Sequence, residues 1–144
     1  MEDWQIIERH TLDNGNVVTL VYDSDPWESP REWDNLGTII HWHPRYDLGD
    51  ERIDERITSA EVAERYYFGS GGESLHVYLL DHSGHYLSTS PSPAYGGWDT
   101  SLVGLIGVTR EKIIAEYGDD SPESRGLVRR VLRGEIETLN KWIN

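Results

Sequence analysis

The sequence predicts an α+β fold: a mainly antiparallel sheet of about five strands, a short middle helix and two C-terminal helices. Three observations indicate this class: two hairpin-like segment pairs, short β-branched segments between Pro- and Gly-rich loops, and helical periodicity concentrated after residue 108. A chain of 144 residues can bury one core without disulfides. We therefore expect a single domain over residues 1–144, sheet-rich and acidic over 1–108 and helical over 109–144.

Two hairpins provide four of the predicted strands. Residues 5–12 and 16–22 flank an Asp-Asn-Gly sequence, and an Asn-Gly pair favours a tight hairpin turn because both residues tolerate positive φ. Residues 74–81 and 85–90 flank a His-Ser-Gly turn in the same way. Further strand structure is predicted over two apolar segments, residues 36–43 and 102–108.

The helices are predicted from capping residues and apolar spacing. Thr58 and Glu61 form a capping box at the start of a helix that reaches residue 67. Thr109 caps a second helix, which Gly118 ends, and a third helix starts at Pro122. The apolar residues of the third helix recur at helical spacing: Leu127, Val128, Val131, Leu132, Ile136, Leu139, Trp142 and Ile143.

Charge is the clearest compositional signal, with a formal net charge of −13. Residues 1–108 hold 19 acidic residues and 6 Arg, whereas residues 109–144 hold 7 acidic and 7 basic residues. Such a charge repels nucleic acid and attracts basic partners, so direct nucleic-acid binding is not expected. The alternative is a surface adapted to salt. The scarcity of Lys favours that alternative, and the uneven distribution of charge opposes it.

Nothing in the sequence indicates secretion, a membrane or a redox site. The chain has no Cys, which excludes disulfides and Cys-ligated zinc. Its first ten residues lack the features of a signal peptide, and no apolar run approaches the roughly 18 residues of a membrane span. We expect a protein of the host cytoplasm with no membrane partner and no cofactor. Self-association is one option, in which an Arg-rich face of the last helix (Arg125, Arg129, Arg130 and Arg133) meets the acidic part of another copy.

Histidines form the candidate metal site. His41 and His43 alternate along a predicted strand and would point to one face, and the second hairpin brings further ligand types. Imidazole and carboxylate ligands around an activated water would suit a metal-assisted hydrolase acting on a nucleotide or a similar small substrate. The ligands of this alternative are His43, His82, His85 and Asp81. Local hydrogen bonding by each His is the competing interpretation, because the spacing matches no established metal motif.

The segment "SPREWDNLGTIIHWH" (29–43) concentrates Trp, His, Asp and Asn. We interpret it as a loop and strand that define the fold. Trp33, Asp34 and Asn35 would fix the loop through contacts with its backbone, and Trp42 would lie in the core. Trp27 and Trp98 would either cover the end of the sheet or belong to a binding surface.

The order of several motifs resembles a known family. "SPREWDNLGT" (29–38), "WHPRYDLGD" (42–50) and the pieces "YLLDHSG…STSP…GWD…VG…VTREKIIAEYG" (78–118) are similar to a widespread family of small phage and mobile-element proteins. The likeness spans residues 25–140, and "REWDNLGT" is its most specific part. The family has no established enzymatic activity, so the resemblance implies a small domain in a mobile-element gene set and assigns no catalytic residue.

Charge and resemblance together favour a binding protein over an enzyme. The most concrete hypothesis is a counter-defence inhibitor, similar in role to anti-CRISPR or antirestriction proteins. It would bind a host nucleic-acid-binding complex through its acidic surface, with carboxylates in place of phosphates. The candidate partner-binding residues are Asp23, Asp25, Glu28, Glu32, Asp47, Asp50, Glu51, Asp54 and Glu55.

Overall fold

The computed structural model describes residues 5–11, 17–22, 28–81, 84–90 and 100–143, with the first two ranges and Asp81 described by backbone alone. The strands in these ranges are β1 (Gln5–Thr11), β2 (Val17–Tyr22), β3 (Thr38–His41), β4 (Glu51–Arg52), β5 (Glu73–Asp81), β6 (His85–Ser88) and β7 (Thr100–Val108). The helices are α1 (Ala60–Phe68), α2 (Arg110–Tyr117) and α3 (Pro122–Ile143), and a 3-10 turn covers Pro30–Glu32.

Five strands form one sheet in the order β4-β3-β7-β5-β6. The pairs β3–β7, β7–β5 and β5–β6 are antiparallel, and this mainly antiparallel sheet with three helices confirms the predicted α+β class. The two-residue β4 pairs with β3 in parallel. It lies in an acidic segment with no strand pattern in its sequence, and it was not predicted.

Both predicted hairpins are confirmed by their strand pairing. β1 and β2 pair antiparallel in a separate two-stranded sheet, from Gln5 opposite Tyr22 to Thr11 opposite Val17. Their Asn-Gly turn lies outside the described residues. β5 and β6 pair up to Asp81 opposite His85, so the predicted His-Ser-Gly segment connects them.

The five-stranded sheet is the middle layer of three. Ile39 and Ile106 pack on the α2 and α3 side, in a buried cluster that includes Leu132. Their neighbours in sequence, Ile40 and Leu105, pack on the α1 side with Ala63 and Phe68. This division follows from strand geometry, because successive side chains of a strand point to opposite faces.

The caps of α2 agree with the prediction, whereas the cap of α1 does not. Thr109 accepts a hydrogen bond from a first-turn amide, and Gly118 ends α2 in the left-handed region with φ 87°. In α1 the N-cap is Ser59, whose hydroxyl accepts from the amide three residues on. The predicted capping box of Thr58 and Glu61 is therefore wrong. Ser and Thr are both good N-caps, so the sequence does not decide whether α1 starts after residue 58 or after residue 59.

The apolar residues of α3 divide into a buried and an exposed set. Val128, Leu132, Ile136 and Leu139 are buried. Leu127, Val131, Trp142 and Ile143 are each at least 36% exposed. None of the helices in the described ranges combines the length and apolar content that crossing a membrane requires.

Candidate functional site

The loop before β3 is fixed by hydrogen bonds to its own backbone. Ser29 caps the 3-10 turn, and its Oγ accepts from the amide of Arg31 at 3.1 Å. The Nδ2 of Asn35 donates to the carbonyl oxygens of Pro30 and Trp33, at 2.9 Å in both cases. Bonds of this kind hold a loop in one conformation, so the predicted role of Asn35 is confirmed.

The other predicted roles in this segment have mixed outcomes. Trp33 is 56% exposed, and Asp34 is exposed and makes no hydrogen bond within the described part of the chain. The predicted role of Asp34 is therefore wrong. Trp33 contacts the loop through its backbone, because its amide donates to the carbonyl of Pro30 at 3.1 Å and its carbonyl accepts from Asn35. Trp42 packs half-buried against the core on the α1 side, and its Nε1–H donates to the carbonyl of Leu102 at 3.0 Å. Two further tryptophans lie outside the described residues, Trp27 and Trp98.

Arg31 binds several parts of this loop and its surroundings, and no signal in the sequence predicted this role. Its Nε donates to Oδ1 of Asp50 at 3.1 Å and its Nη1 donates to Oε1 of Glu135 at 3.1 Å. Its Nη2 donates to the carbonyl of Gly37 at 2.7 Å and to the second oxygen of Asp50, which makes that pair bidentate. The Arg31 side chain is only 8% exposed.

The two carboxylates around Arg31 also bind backbone amides. Glu135, on α3, accepts from the amides of Leu36 at 2.8 Å and Gly37 at 3.0 Å. Asp50 accepts from the amide of Ile39 at 2.8 Å. The network therefore ties α3, the start of β3 and the segment before β4 to one guanidinium group.

A groove with a volume of about 380 Å³ lies beside this network. The 3-10 turn, the segment before β4, β6 and the end of α3 form its walls. We call its apolar lining residues the floor: Leu48, Leu87, Leu139, Trp142 and Ile143. We call its remaining lining residues the rim: Ser29, Arg31, Glu32, Asp47, Gly49 and Asp50.

Comparison with family models, curated proteins and solved structures found no match to the chain. The resemblance to phage and mobile-element proteins therefore stays a prediction. What the groove can bind is set by its own residues: an apolar floor, an acidic rim and a guanidinium held by two carboxylates.

The nine predicted partner-binding acids fall into distinct environments. Three line the groove: Glu32, Asp47 and Asp50. Three more are exposed elsewhere and form no ion pair within the described part of the chain: Glu28, Glu51 and Glu55. Asp54 is engaged by Arg56, whose side-chain and backbone hydrogen bonds lower the pKa of Asp54 to about 2. Asp23 and Asp25 lie outside the described residues. A role in partner binding stays a prediction for all nine.

His41 is buried beside the groove. It is 1% exposed, and its Nε2 lies 2.8 Å from Oδ1 of Asp47, whose own side chain is 88% exposed. Its Nδ1 is buried without a hydrogen-bond partner among the described residues. Burial lowers the pKa of His41, and this effect outweighs the attraction of Asp47. The neutral ring, with Nε2–H donating to Asp47, fits this geometry, because protonated Nδ1 would bury a donor without an acceptor.

The lowered pKa of His41 predicts a loss of stability below its ordinary value of 6.5. In that pH range the unfolded chain binds a proton at this position and the folded chain does not, so the free energy of unfolding falls as pH falls. His41→Gln keeps a donor for Asp47 but cannot titrate. We expect it to reduce the slope of unfolding free energy against pH, by at most about one proton, in urea titrations from pH 5 to 7.5.

His76→Gln is the matched control for this measurement, because His76 is exposed on β5. This variant supplies the reference slope for the loss of an exposed His. A slope that falls equally in both variants would show that burial of His41 does not set the pH dependence.

The described part of the predicted metal cluster is an aromatic contact. His43 stacks on Tyr46 with ring centroids 4.5 Å apart, and its Nδ1 accepts from the amides of Arg45 and Tyr46. The hydroxyl of Tyr46 lies 2.8 Å from Nε2 of His85. No three His, Asp or Glu side chains in the described ranges could jointly hold a metal ion. Since His82 and the Asp81 side chain lie outside those ranges, the four-ligand site stays a prediction.

Two of the four arginines on α3 form hydrogen bonds and ion pairs within the chain. Arg125 donates to Glu73 at 3.0 Å and to the carbonyl of Gly71 at 2.7 Å. Arg129 donates to the other oxygen of Glu73 at 3.3 Å. These bonds join α3 to the start of β5, so this half of the Arg-rich face stabilises the fold.

Proposed function

We propose that this protein is a counter-defence protein of a phage or mobile element that inhibits a host nucleic-acid-binding complex by occupying its basic surface. The observation that supports the proposal most directly is a set of exposed carboxylates, from residue 28 to the segment before α1, that form no ion pair within the described part of the chain. Four members of this set are Glu28, Glu32, Glu51 and Glu55. Carboxylates without internal partners are free to meet the Lys and Arg residues that otherwise contact phosphates.

The chemistry of the groove also favours a protein partner. Its lining combines large apolar side chains with charged ones, and protein interfaces have both kinds of residue. Trp142 on the floor is 41% exposed, and Trp is among the residues that contribute most to binding. An acidic rim disfavours nucleic acid as a direct ligand, because the phosphates would be repelled.

The internal bonds decide which substitutions can test the proposal. Asp50 belongs to the largely buried Arg31 network, so reversing its charge would perturb the fold as well as the surface. Asp54 is already paired with Arg56, so its reversal would also release a surface arginine. Glu51 and Glu55 form no side-chain ion pair in the ranges that the structure describes. Reversal at these two positions changes the surface charge with little effect on internal contacts.

We expect Glu51→Lys with Glu55→Lys to weaken binding to the host complex by about tenfold or more at low salt, with a smaller effect at high salt. The complex would be captured by the tagged protein from nuclease-treated host lysate at two salt concentrations. Its components would be identified by mass spectrometry, and its affinity then measured with purified components. Glu116→Lys with Glu137→Lys is the matched control, because both residues are exposed on the charge-balanced helical part.

Two results would contradict the proposal. One is capture of no nucleic-acid-binding protein at either salt concentration. The other is an affinity that falls equally in the two double variants, because that result would reflect net charge alone. Stability that rises steadily up to molar salt, without any partner, would favour the salt-adapted surface instead.

A further inference from the structure

The groove beside Arg31 combines two properties that single out one kind of ligand. Its apolar lining includes Trp142 and Ile143, which are 41% and 36% exposed at the end of α3, and the buried Leu139. Its volume of about 380 Å³ lies in the range of pockets that hold small ligands or large side chains. Large apolar side chains left accessible in a concave surface indicate a binding site for an apolar group.

The rim adds a net negative charge to this apolar floor. Glu32 and Asp47 are exposed, and Glu32 has no ion pair among the described residues. Arg31 cannot neutralise the rim, because its guanidinium is already bound by Asp50 and Glu135. His41 contacts Asp47, but burial lowers the pKa of its imidazole, so this ring adds little positive charge to the rim near pH 7.

We propose that this groove binds a basic amphipathic segment of a partner protein. A large apolar side chain of the segment would lie on Trp142, and its Lys or Arg residues would meet Glu32 and Asp47. Charge complementarity selects this ligand over a nucleic acid, an acidic peptide or an anionic membrane surface, each of which the rim would repel. The groove is one part of the acidic surface assigned above to partner binding, so this proposal rests on the proposed function.

The test is a selection of short peptides on the 144-residue chain. A displayed library of random 12-residue peptides would be panned against the wild-type chain, and an enriched peptide would be synthesised and measured by calorimetry. We expect enriched sequences to combine at least two Lys or Arg residues with Leu, Phe, Met or Trp. Trp142→Ala should weaken binding of the selected peptide by about tenfold or more. Glu32→Lys should weaken it mainly at low salt.

Trp33→Ala is the matched control, because Trp33 is an exposed Trp that does not line the groove. It should leave the affinity unchanged, and thermal unfolding would show that each variant folds. The inference is overturned if no basic and apolar sequence is enriched, or if both Trp variants bind equally well. It is also overturned if the chain forms a dimer that Trp142→Ala dissociates, since the occupant would then be a second copy.

The two proposals can fail separately. If Trp142→Ala abolishes peptide binding while reversal at Glu51 and Glu55 leaves capture of the host complex unchanged, the groove stands and the wider acidic surface does not. If the reversal weakens capture but no peptide depends on Trp142, the partner binds the acidic surface outside the groove.

Discussion

Replacing Arg31 by Ala is expected to lower the free energy of unfolding by about 3 kcal/mol. The substitution leaves the Asp50 and Glu135 carboxylates facing each other without the cation that holds them, and their side chains are only 25% and 11% exposed. Removing one partner of a partly buried ion pair is costly because the remaining carboxylates lose the cation that compensates their charge. Urea unfolding followed by far-ultraviolet circular dichroism would measure the loss.

Two further variants make this result specific. Arg31→Lys keeps the charge but loses the planar fork that binds Asp50 through two atoms, so we expect an intermediate loss. Arg56→Ala breaks a pair of similar length, but the Arg56 side chain is 85% exposed, so stability should be nearly unchanged. If Arg31→Ala costs no more than Arg56→Ala, the network does not stabilise the loop.

The features that the sequence predicted well are those with local signals. Thr109 and Gly118 mark α2 because a capping hydroxyl and a left-handed glycine act within a few residues of each helix end. The two hairpins were found for the same reason, since turn sequences and flanking β-branched segments are adjacent in the chain. Such signals need no knowledge of the tertiary structure.

The features that the sequence did not predict depend on distant partners. Arg31 binds residues 19 and 104 positions away, and nothing in its neighbourhood distinguishes it from an exposed Arg. β4 consists of Glu51 and Arg52, whose pairing with β3 uses only backbone atoms. The sequence also does not show which acids of this segment form internal ion pairs. Asp50 and Asp54 do, whereas Glu51 and Glu55 are exposed, yet all four are acidic residues of one polar segment.

The candidate groove was only partly visible from the sequence for the same reason. Its acidic rim was included in the predicted set through Glu32, Asp47 and Asp50. Its floor was not, because the periodicity of α3 marks Leu139, Trp142 and Ile143 as one apolar set. Only the packing of the helix on the sheet shows that Leu139 is buried and the last two are accessible.

Replacing Gly104 by Ala should also destabilise the fold strongly, by about 2–3 kcal/mol. A Cβ at this position of β7 would lie 2.5 Å from the carbonyl oxygen of Ile40 and 3.4 Å from the Cα of His41. Both atoms belong to the backbone of β3, so no side-chain rotation can relieve the contact. β3 would have to move away from β7, which would weaken the bonds that pair the two strands and disturb the amide of Ile39 that binds Asp50.

Gly134→Ala is the matched control for Gly104→Ala, and its expected effect has the opposite sign. A Cβ on Gly134 would meet nothing within 4 Å, and the residue lies in the middle of α3, where Ala is favoured over Gly by about 0.5–1 kcal/mol. Both variants would be compared with the wild type by urea unfolding. Equal effects at the two positions would mean that backbone entropy, rather than the close approach of β3 and β7, accounts for the glycine at 104. A loss at Gly104 alone, accompanied by weaker peptide binding in the groove, would link strand spacing to the site through Ile39 and Asp50.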